Sequence, residues 1–101
     1  MFMGSIPIGT PITVRLQVGA RAGGSAVLAV AWSGGGQTGG HDECVAAPGG
    51  FCTARVIPEM RGLLRIVVDM NSDSDKGTLT VKPVKASTRI QGDQSWLFVV
   101  Q

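Results

Sequence analysis

The stretch ITVRLQV, residues 12 to 18, carries the clearest structural signal in this sequence. Its apolar and polar residues alternate at every position, and the apolar set is Ile12, Val14, Leu16 and Val18. On an extended chain, side chains two positions apart point to the same face, so the alternation places all the apolar side chains on one side. The stretch therefore predicts a β-strand with one buried face.

Similar stretches recur along the chain and are separated by turn residues. Residues 26 to 32 are apolar at every position, which predicts a strand near the centre of a sheet. Residues 33 to 40 contain five glycines, which predicts a loop. Further strands are predicted at residues 51–57, 63–69, 77–83, 86–90 and 95–101.

The spacing of these stretches predicts an all-β fold. Short strands with regular turn signals are typical of a single antiparallel β-sandwich, immunoglobulin-like or jelly-roll-like, and we expect about six to eight strands. A chain of 101 residues fits one domain, which we place at residues 1–101. Residues 1–5 are expected to be a cloning remnant or a disordered N-terminus.

Composition and charge exclude several classes of protein. Apolar residues make up 44% of the chain, which indicates a folded globular protein rather than a disordered tail. The net charge is only +2, and the nine basic residues are scattered in sequence without interleaved aromatic residues, so we expect no nucleic-acid binding. No apolar run approaches the about 20 residues of a membrane span, and the start MFMGSIPIG has no signal-peptide pattern.

The segment HDECVAAPGGFC, residues 41 to 52, contains both cysteines and the only histidine of the chain. Pro48 and Gly49 favour the central positions of a type II turn, because glycine accepts the positive φ needed at the second of them. A turn at this place predicts a hairpin between the two arms, with Gly50 as a bulge residue that absorbs the odd spacing.

The two cysteines of this segment are predicted to face each other across the hairpin. In a pair of antiparallel strands, Cys44 and Cys52 would have Cα atoms about 4.5 Å apart at a non-hydrogen-bonded site, which is within disulfide range. We therefore expect a disulfide, as an exported domain uses. The alternative is two reduced cysteines that act as small apolar groups.

The polar residues before the first cysteine do not form a recognisable metal or catalytic set. His41, Asp42 and Glu43 are neighbours, and neighbouring side chains of an extended chain point apart. The chain has no second histidine, and the cysteine spacing matches no zinc motif. No nucleophile motif is present, so we predict no catalytic residue and no enzyme activity. His41 is expected to be exposed and able to contact a ligand.

An acidic turn follows the strand at residues 63–69. Four oxygen-bearing residues alternate there, at Asp69, Asn71, Asp73 and Asp75. They resemble the first half of an EF-hand loop, but Ser74 stands where the glycine is required and Thr80 where the bidentate glutamate is required. The turn is therefore either a weak Ca²⁺ site or a hairpin loop, and Ca²⁺ is the only cofactor that the sequence leaves open.

The second half of the chain resembles a known family of β-sandwich domains. The segment RGLLRIVVDMNSDSDKGTLTVKP, residues 61 to 83, is similar to the C-terminal strands of bacterial pre-peptidase C-terminal-type domains. The shared pattern is a glycine followed by an apolar strand, an acidic turn and a G-x-L-T-V strand. The first half of the chain lacks the aspartate-leucine pair of that family. The resemblance implies an exported accessory module without catalytic activity.

The function that these features indicate is binding. We expect a non-enzymatic module of bacterial type, exported or in the cell envelope and thus periplasmic or extracellular, that contacts a protein or glycan at the cell surface as a monomer. The alternative is a weakly Ca²⁺-dependent or carbohydrate-binding accessory module. Trp32 and Trp96 are candidate ligand residues, because an exposed indole stacks on a sugar face, although tryptophan in a small sandwich is more often part of the core.

Overall fold

The computed structural model describes residues 2–34, 37–83 and 86–101, with side chains described outside residues 2, 3, 37–39 and 86. The described residues form nine β-strands. In chain order they are β1 (Phe2–Ile6), β2 (Ile12–Val18), β3 (Ala26–Gly34), β4 (Gln37–Ala46), β5 (Phe51–Val56), β6 (Gly62–Asp69), β7 (Lys76–Lys82), β8 (Ala86–Gln91) and β9 (Gln94–Val100).

The nine strands form two sheets. One has five strands in the order β1-β9-β6-β3-β4, and the other has four in the order β5-β2-β7-β8. All pairs are antiparallel except β1 with β9, which is parallel. Apolar residues of both sheets form one buried cluster, so the all-β prediction is confirmed and the arrangement is compatible with a β-sandwich.

The core follows the alternation seen in the sequence. Every second residue of β2 is fully or almost fully buried, from Ile12 to Val18, as the pattern predicts. In β6, Leu64, Ile66 and Val68 are fully buried. Burial of a side chain of this size stabilises the fold by about 1.5–3 kcal/mol, so the inner faces of the strands hold the two sheets together.

The number of strands differs from the six to eight expected, because two strands were not recognised. Residues expected to be a cloning remnant or disordered form β1, which pairs with β9 and buries Ile6. Strand β4 covers residues that were expected to form the end of the glycine-rich loop and the polar segment before Cys44. It pairs with β3 along most of its length. Both strands lie at an edge of the five-stranded sheet, where pairing on one side suffices and weak β propensity is tolerated.

The described part of the chain contains no helix that is long and apolar enough to cross a membrane. The described residues also contain no α-helix of any length.

A pair of isoleucine substitutions tests the position of the core. Ile66→Ala should lower the free energy of unfolding by about 3 kcal/mol, because it leaves a cavity between the sheets, where the side chain is fully buried. Ile57→Ala is the matched control, since Ile57 is exposed after β5, and it should cost less than about 1 kcal/mol. Urea unfolding measures both values, and equal losses would contradict the assigned core.

Candidate functional site

The four-stranded sheet concentrates positive charge. Its strands β5, β2, β7 and β8 contain five of the nine basic residues and none of the seven acidic residues of the chain. The five bases are Arg15, Arg55, Lys76, Lys82 and Arg89. We call the outer surface of this sheet the cationic face, and it is the strongest charge feature of the fold.

The pleat of the strands places these bases on the same side. In β2 the buried residues alternate with Thr13, Arg15 and Gln17, which point away from the core. The register sets Arg15 between Thr53 of β5 and Thr80 of β7. Strands lie about 4.8 Å apart in a sheet, so Arg15 has a hydroxyl-bearing residue one strand away on each side.

The same alignment continues in the neighbouring row of the face. Thr13 lies between Arg55 of β5 and Lys82 of β7, and Thr78 lies beside Arg89 of β8. Four of the five bases therefore lie beside a threonine of a neighbouring strand, and Lys76 lies beside Gln91.

Two open grooves run over the cationic face. The first encloses ≈ 450 Å³ and is lined by Arg15 and Lys82 together with Thr13, Gln17, Thr53, Thr78 and Thr80. The second encloses ≈ 890 Å³ at one end of the sheet, and its basic lining residues are Lys76 and Arg89. Gln17 and Thr78 line both grooves, so the two adjoin, and the second also extends to Val18, Ile90 and Gln94 at the end of the two sheets.

An aromatic contact fixes the central base of the face. The guanidinium carbon of Arg15 lies 3.9 Å from the centroid of the Phe51 ring. A cation over an aromatic ring gains about 0.5–1 kcal/mol at an exposed site. The contact holds Arg15 across β2 and β5 and leaves its N–H groups available at the edge of the ring.

The acidic residues lie elsewhere. Asp42 and Glu43 belong to β4 and Asp69 to β6, both in the other sheet, and the remaining four lie in connections between strands. The bases appeared scattered because they are far apart in sequence. Arg15, Arg55, Lys76, Lys82 and Arg89 each occupy the polar phase of a strand, and that phase is visible in the sequence. Arg65 has the same phase on β6, so the phase alone does not tell which bases share a sheet.

The two cysteines form a disulfide, as predicted, but not within a hairpin ladder. The turn is also as predicted, because Gly49 has φ +76° and the N–H of Gly50 donates to the carbonyl oxygen of Ala47 at 2.8 Å. The hairpin itself is wrong: β4 pairs with β3 and β5 pairs with β2, so the chain changes sheet at this turn.

The disulfide therefore joins the edges of two different sheets. We call this edge, where β4 and β5 lie side by side, the seam. The Cα atoms of Cys44 and Cys52 are 5.8 Å apart, compared with the about 4.5 Å expected for facing residues of a ladder. Gly50 is consequently part of the turn and does not act as a bulge in a two-stranded ladder.

Asp42 makes a second connection across the seam. One carboxylate oxygen, Oδ2, accepts a hydrogen bond from the backbone N–H of Arg55 at 2.8 Å, and Oδ1 accepts from the N–H of Glu43 at 2.9 Å. The bond from Arg55 satisfies a backbone N–H at the open edge of β5, where no strand pairs with it. Asp42 thus has a structural position, whereas the neighbouring His41 is exposed on the outer side of β4.

The two tryptophans lie in the core. Trp32 is 6% exposed and Trp96 is 3% exposed, so neither indole presents a face to solvent. Of the three predicted ligand residues, only His41 is at the surface. His41 is on the five-stranded sheet, and the structure does not bring it together with the tryptophans as a binding site.

The acidic turn is held together by its own hydrogen bonds. Asp75 is 5% exposed, and its Oδ1 accepts from the N–H of Gly23 and from the hydroxyl of Ser72, both at 3.1 Å. Its Oδ2 has no hydrogen-bond partner among the described residues. The cavity that Asp75 lines, ≈ 190 Å³, is also lined by Arg21 and Lys76, whose positive charges oppose cation binding there.

The other three residues of the predicted Ca²⁺ set have different surroundings. Asp69 lies on the outer side of β6, Asn71 lies beside Gly24, and the carbonyl of Asp73 accepts from Gln91 Nε2 at 3.3 Å. The described residues contain no group of three or more His, Cys, Asp or Glu side chains that could hold a metal ion. Calcium binding stays a prediction from the sequence.

Comparison with known proteins found no relative. No family model matches the chain, and neither a curated protein nor a solved structure matches it. The chemistry of the chain's own residues is therefore the basis for assigning a function.

Loss of the disulfide should destabilise the fold measurably. Cys44→Ala with Cys52→Ala should lower the free energy of unfolding by about 2.5 kcal/mol, because the bond restricts the unfolded chain over a separation of eight residues. Wild-type protein treated with a thiol reductant is the control and should lose a similar amount. Two free thiols in the denatured, non-reduced protein would contradict the assigned bond.

Proposed function

We propose that this protein is an exported, non-enzymatic binding module that holds an acidic polysaccharide on its cationic face. The single observation that carries the proposal is the presence of five basic and no acidic residues on the four strands of that sheet. The two adjoining grooves provide room for an extended chain. A flat face with open ends suits a polymer better than a small molecule enclosed in a pocket.

The residue types of the face match the groups of such a polymer. Arginine and lysine donate charge-assisted hydrogen bonds to carboxylate and sulfate oxygens, and arginine binds them with two parallel N–H groups. Threonine hydroxyls and the Gln17 amide both donate and accept, as sugar hydroxyls do. Arg15 lies among them in the first groove, so charge and hydroxyl recognition are available within the same site.

Other polyanions fit the face less well. Single-stranded nucleic acids are held by stacking of bases on several exposed aromatic rings, whereas Phe51, one side of which contacts the guanidinium of Arg15, is the only aromatic residue on the four strands of the cationic face. An anionic membrane surface is bound by bases together with apolar side chains that enter the lipid, whereas the groove around Arg15 is lined by hydroxyl, amide and charged groups.

The compartment and fold type support an extracellular role. A disulfide indicates an environment outside the cytoplasm, and a periplasmic or extracellular location is part of the proposal. The resemblance of residues 61–83 to exported accessory domains points the same way. An immunoglobulin-like or jelly-roll-like topology is also proposed, supported by strand pairs such as β2–β7 and β3–β6 that are distant in sequence.

Binding to two acidic polysaccharides and one neutral one tests the proposal. Isothermal titration should detect heparin and alginate, which carry sulfate and carboxylate groups, but not dextran. Arg15→Gln with Lys82→Gln should weaken binding about tenfold, because two charge-assisted contacts are lost. Affinity for both acidic polymers should fall as salt is raised, because the contacts are at an exposed surface.

The matched control removes the same charge from another part of the molecule. Arg21 and Arg61 are exposed in connections between strands, and Arg21→Gln with Arg61→Gln should change the affinity less than about twofold. Equal weakening by both double variants would show that net charge alone is responsible. Tighter binding of single-stranded DNA than of either acidic polysaccharide would overturn the choice of ligand.

A further inference from the structure

The outer surface of the five-stranded sheet has the opposite character to the cationic face. Its outward positions are mostly apolar, and we call this surface the apolar face; its apolar residues are Val27, Ala29, Ala31, Val45, Leu63, Val67, Leu97 and Val99. Val45 is 62% exposed and Leu63 is 46% exposed. A contiguous apolar surface on a sheet is uncommon in a monomer and marks a contact with another molecule.

The register arranges this face in rows across the strands. The central row contains Glu43, Ala29, Val67 and Ser95. On one side of it lies the row with Val45, Val27 and Asp69, and on the other the row with His41, Ala31, Arg65 and Leu97. Ala29 and Val67 therefore form an apolar centre. Asp69 lies in the row on one side of it, and Arg65 lies in the row on the other side.

The two charged residues of β6 lie on either side of this centre. Arg65 and Asp69 are four positions apart on the same strand, so their Cα atoms are about 13 Å apart, which is too far for an ion pair within one chain. Both side chains are exposed on the apolar face. Val67 lies midway between them, which makes the charge pattern of β6 antisymmetric about that residue.

An antisymmetric pattern is complementary to a second copy of itself. A two-fold axis in the plane of the sheet, perpendicular to the strands and passing over Val67, would lay β6 of one copy over β6 of another in the opposite direction. Each Arg65 then meets Asp69 of the second copy, and the two Val67 side chains meet at the axis. A two-fold interface requires self-complementarity of this kind. The same axis brings the two Glu43 side chains opposite each other at the edge strand β4, where water and salt screen their repulsion.

We infer that two copies of this chain associate face to face through the apolar face. The three rows contain eleven residues on three or four strands each and outline about 350 Å², so two copies would bury about 700 Å² in total, which is below the size of standard specific interfaces. The pair would be weak, and it would leave both cationic faces outward. The distribution of apolar residues thus argues for a dimer where the sequence led us to expect a monomer.

Charge exchange across the axis tests the inference. Sedimentation equilibrium should show a dimer of the wild type at about 100 µM. Arg65→Asp and Asp69→Arg should each give a monomer, because each brings like charges together. The double variant with both substitutions should form the dimer again, since the exchange restores both ion pairs.

The matched control makes the same change on the other sheet. Arg15→Asp removes an exposed arginine from the cationic face and should leave the dimer intact, while far-ultraviolet circular dichroism confirms that each variant is folded. A wild type that stays monomeric at this concentration, or a folded double variant that stays monomeric, would overturn the inference. The test is independent of polysaccharide binding, because no ligand is present and a different sheet is altered.

Discussion

The pleat of the β-strand is the constraint on which the rest of this structure depends. Only alternate side chains of each strand can enter the space between the two sheets, and in β2 and β6 those positions are aliphatic. Once the inner set is buried, the position of every other side chain on those strands is also decided, because it must point outward. Core formation and the composition of the outer faces are thus two results of the same packing.

The outer surfaces of the two sheets, the cationic face and the apolar face, differ in chemistry. Positive charge and hydroxyl groups occupy the four-stranded sheet, and apolar residues occupy the five-stranded sheet. The net charge of +2 does not reveal this separation. The rest of the chain contains more acidic than basic residues, and its negative charge offsets part of the positive charge of the four strands. The proposed polyanion binding and the proposed pairing of two copies would use opposite sides of the molecule, and two bound modules would increase the avidity for a long polymer.

The seam connects two edge strands, one from each sheet. Strands β4 and β5 each have one side without a ladder partner, and an open edge of this kind invites pairing with another chain. The Cys44–Cys52 bond and the Asp42 hydrogen bond to Arg55 connect the two edges directly. Polar residues that resemble a reactive cluster in sequence therefore close one side of the fold.

The all-β class, the central strands and the turn at Pro48-Gly49 could be predicted from the sequence, because each depends on residues close in the chain. The disulfide was also predicted, but from a hairpin that does not form. Strands β1 and β4 were not predicted over their full length, since their glycine-containing segments are strands only because β9 and β3 supply their hydrogen bonds. The burial of the tryptophans and the grouping of five bases on one face follow from the tertiary structure. Such positions depend on which strands become neighbours, and that is settled by packing between distant segments rather than by local pattern.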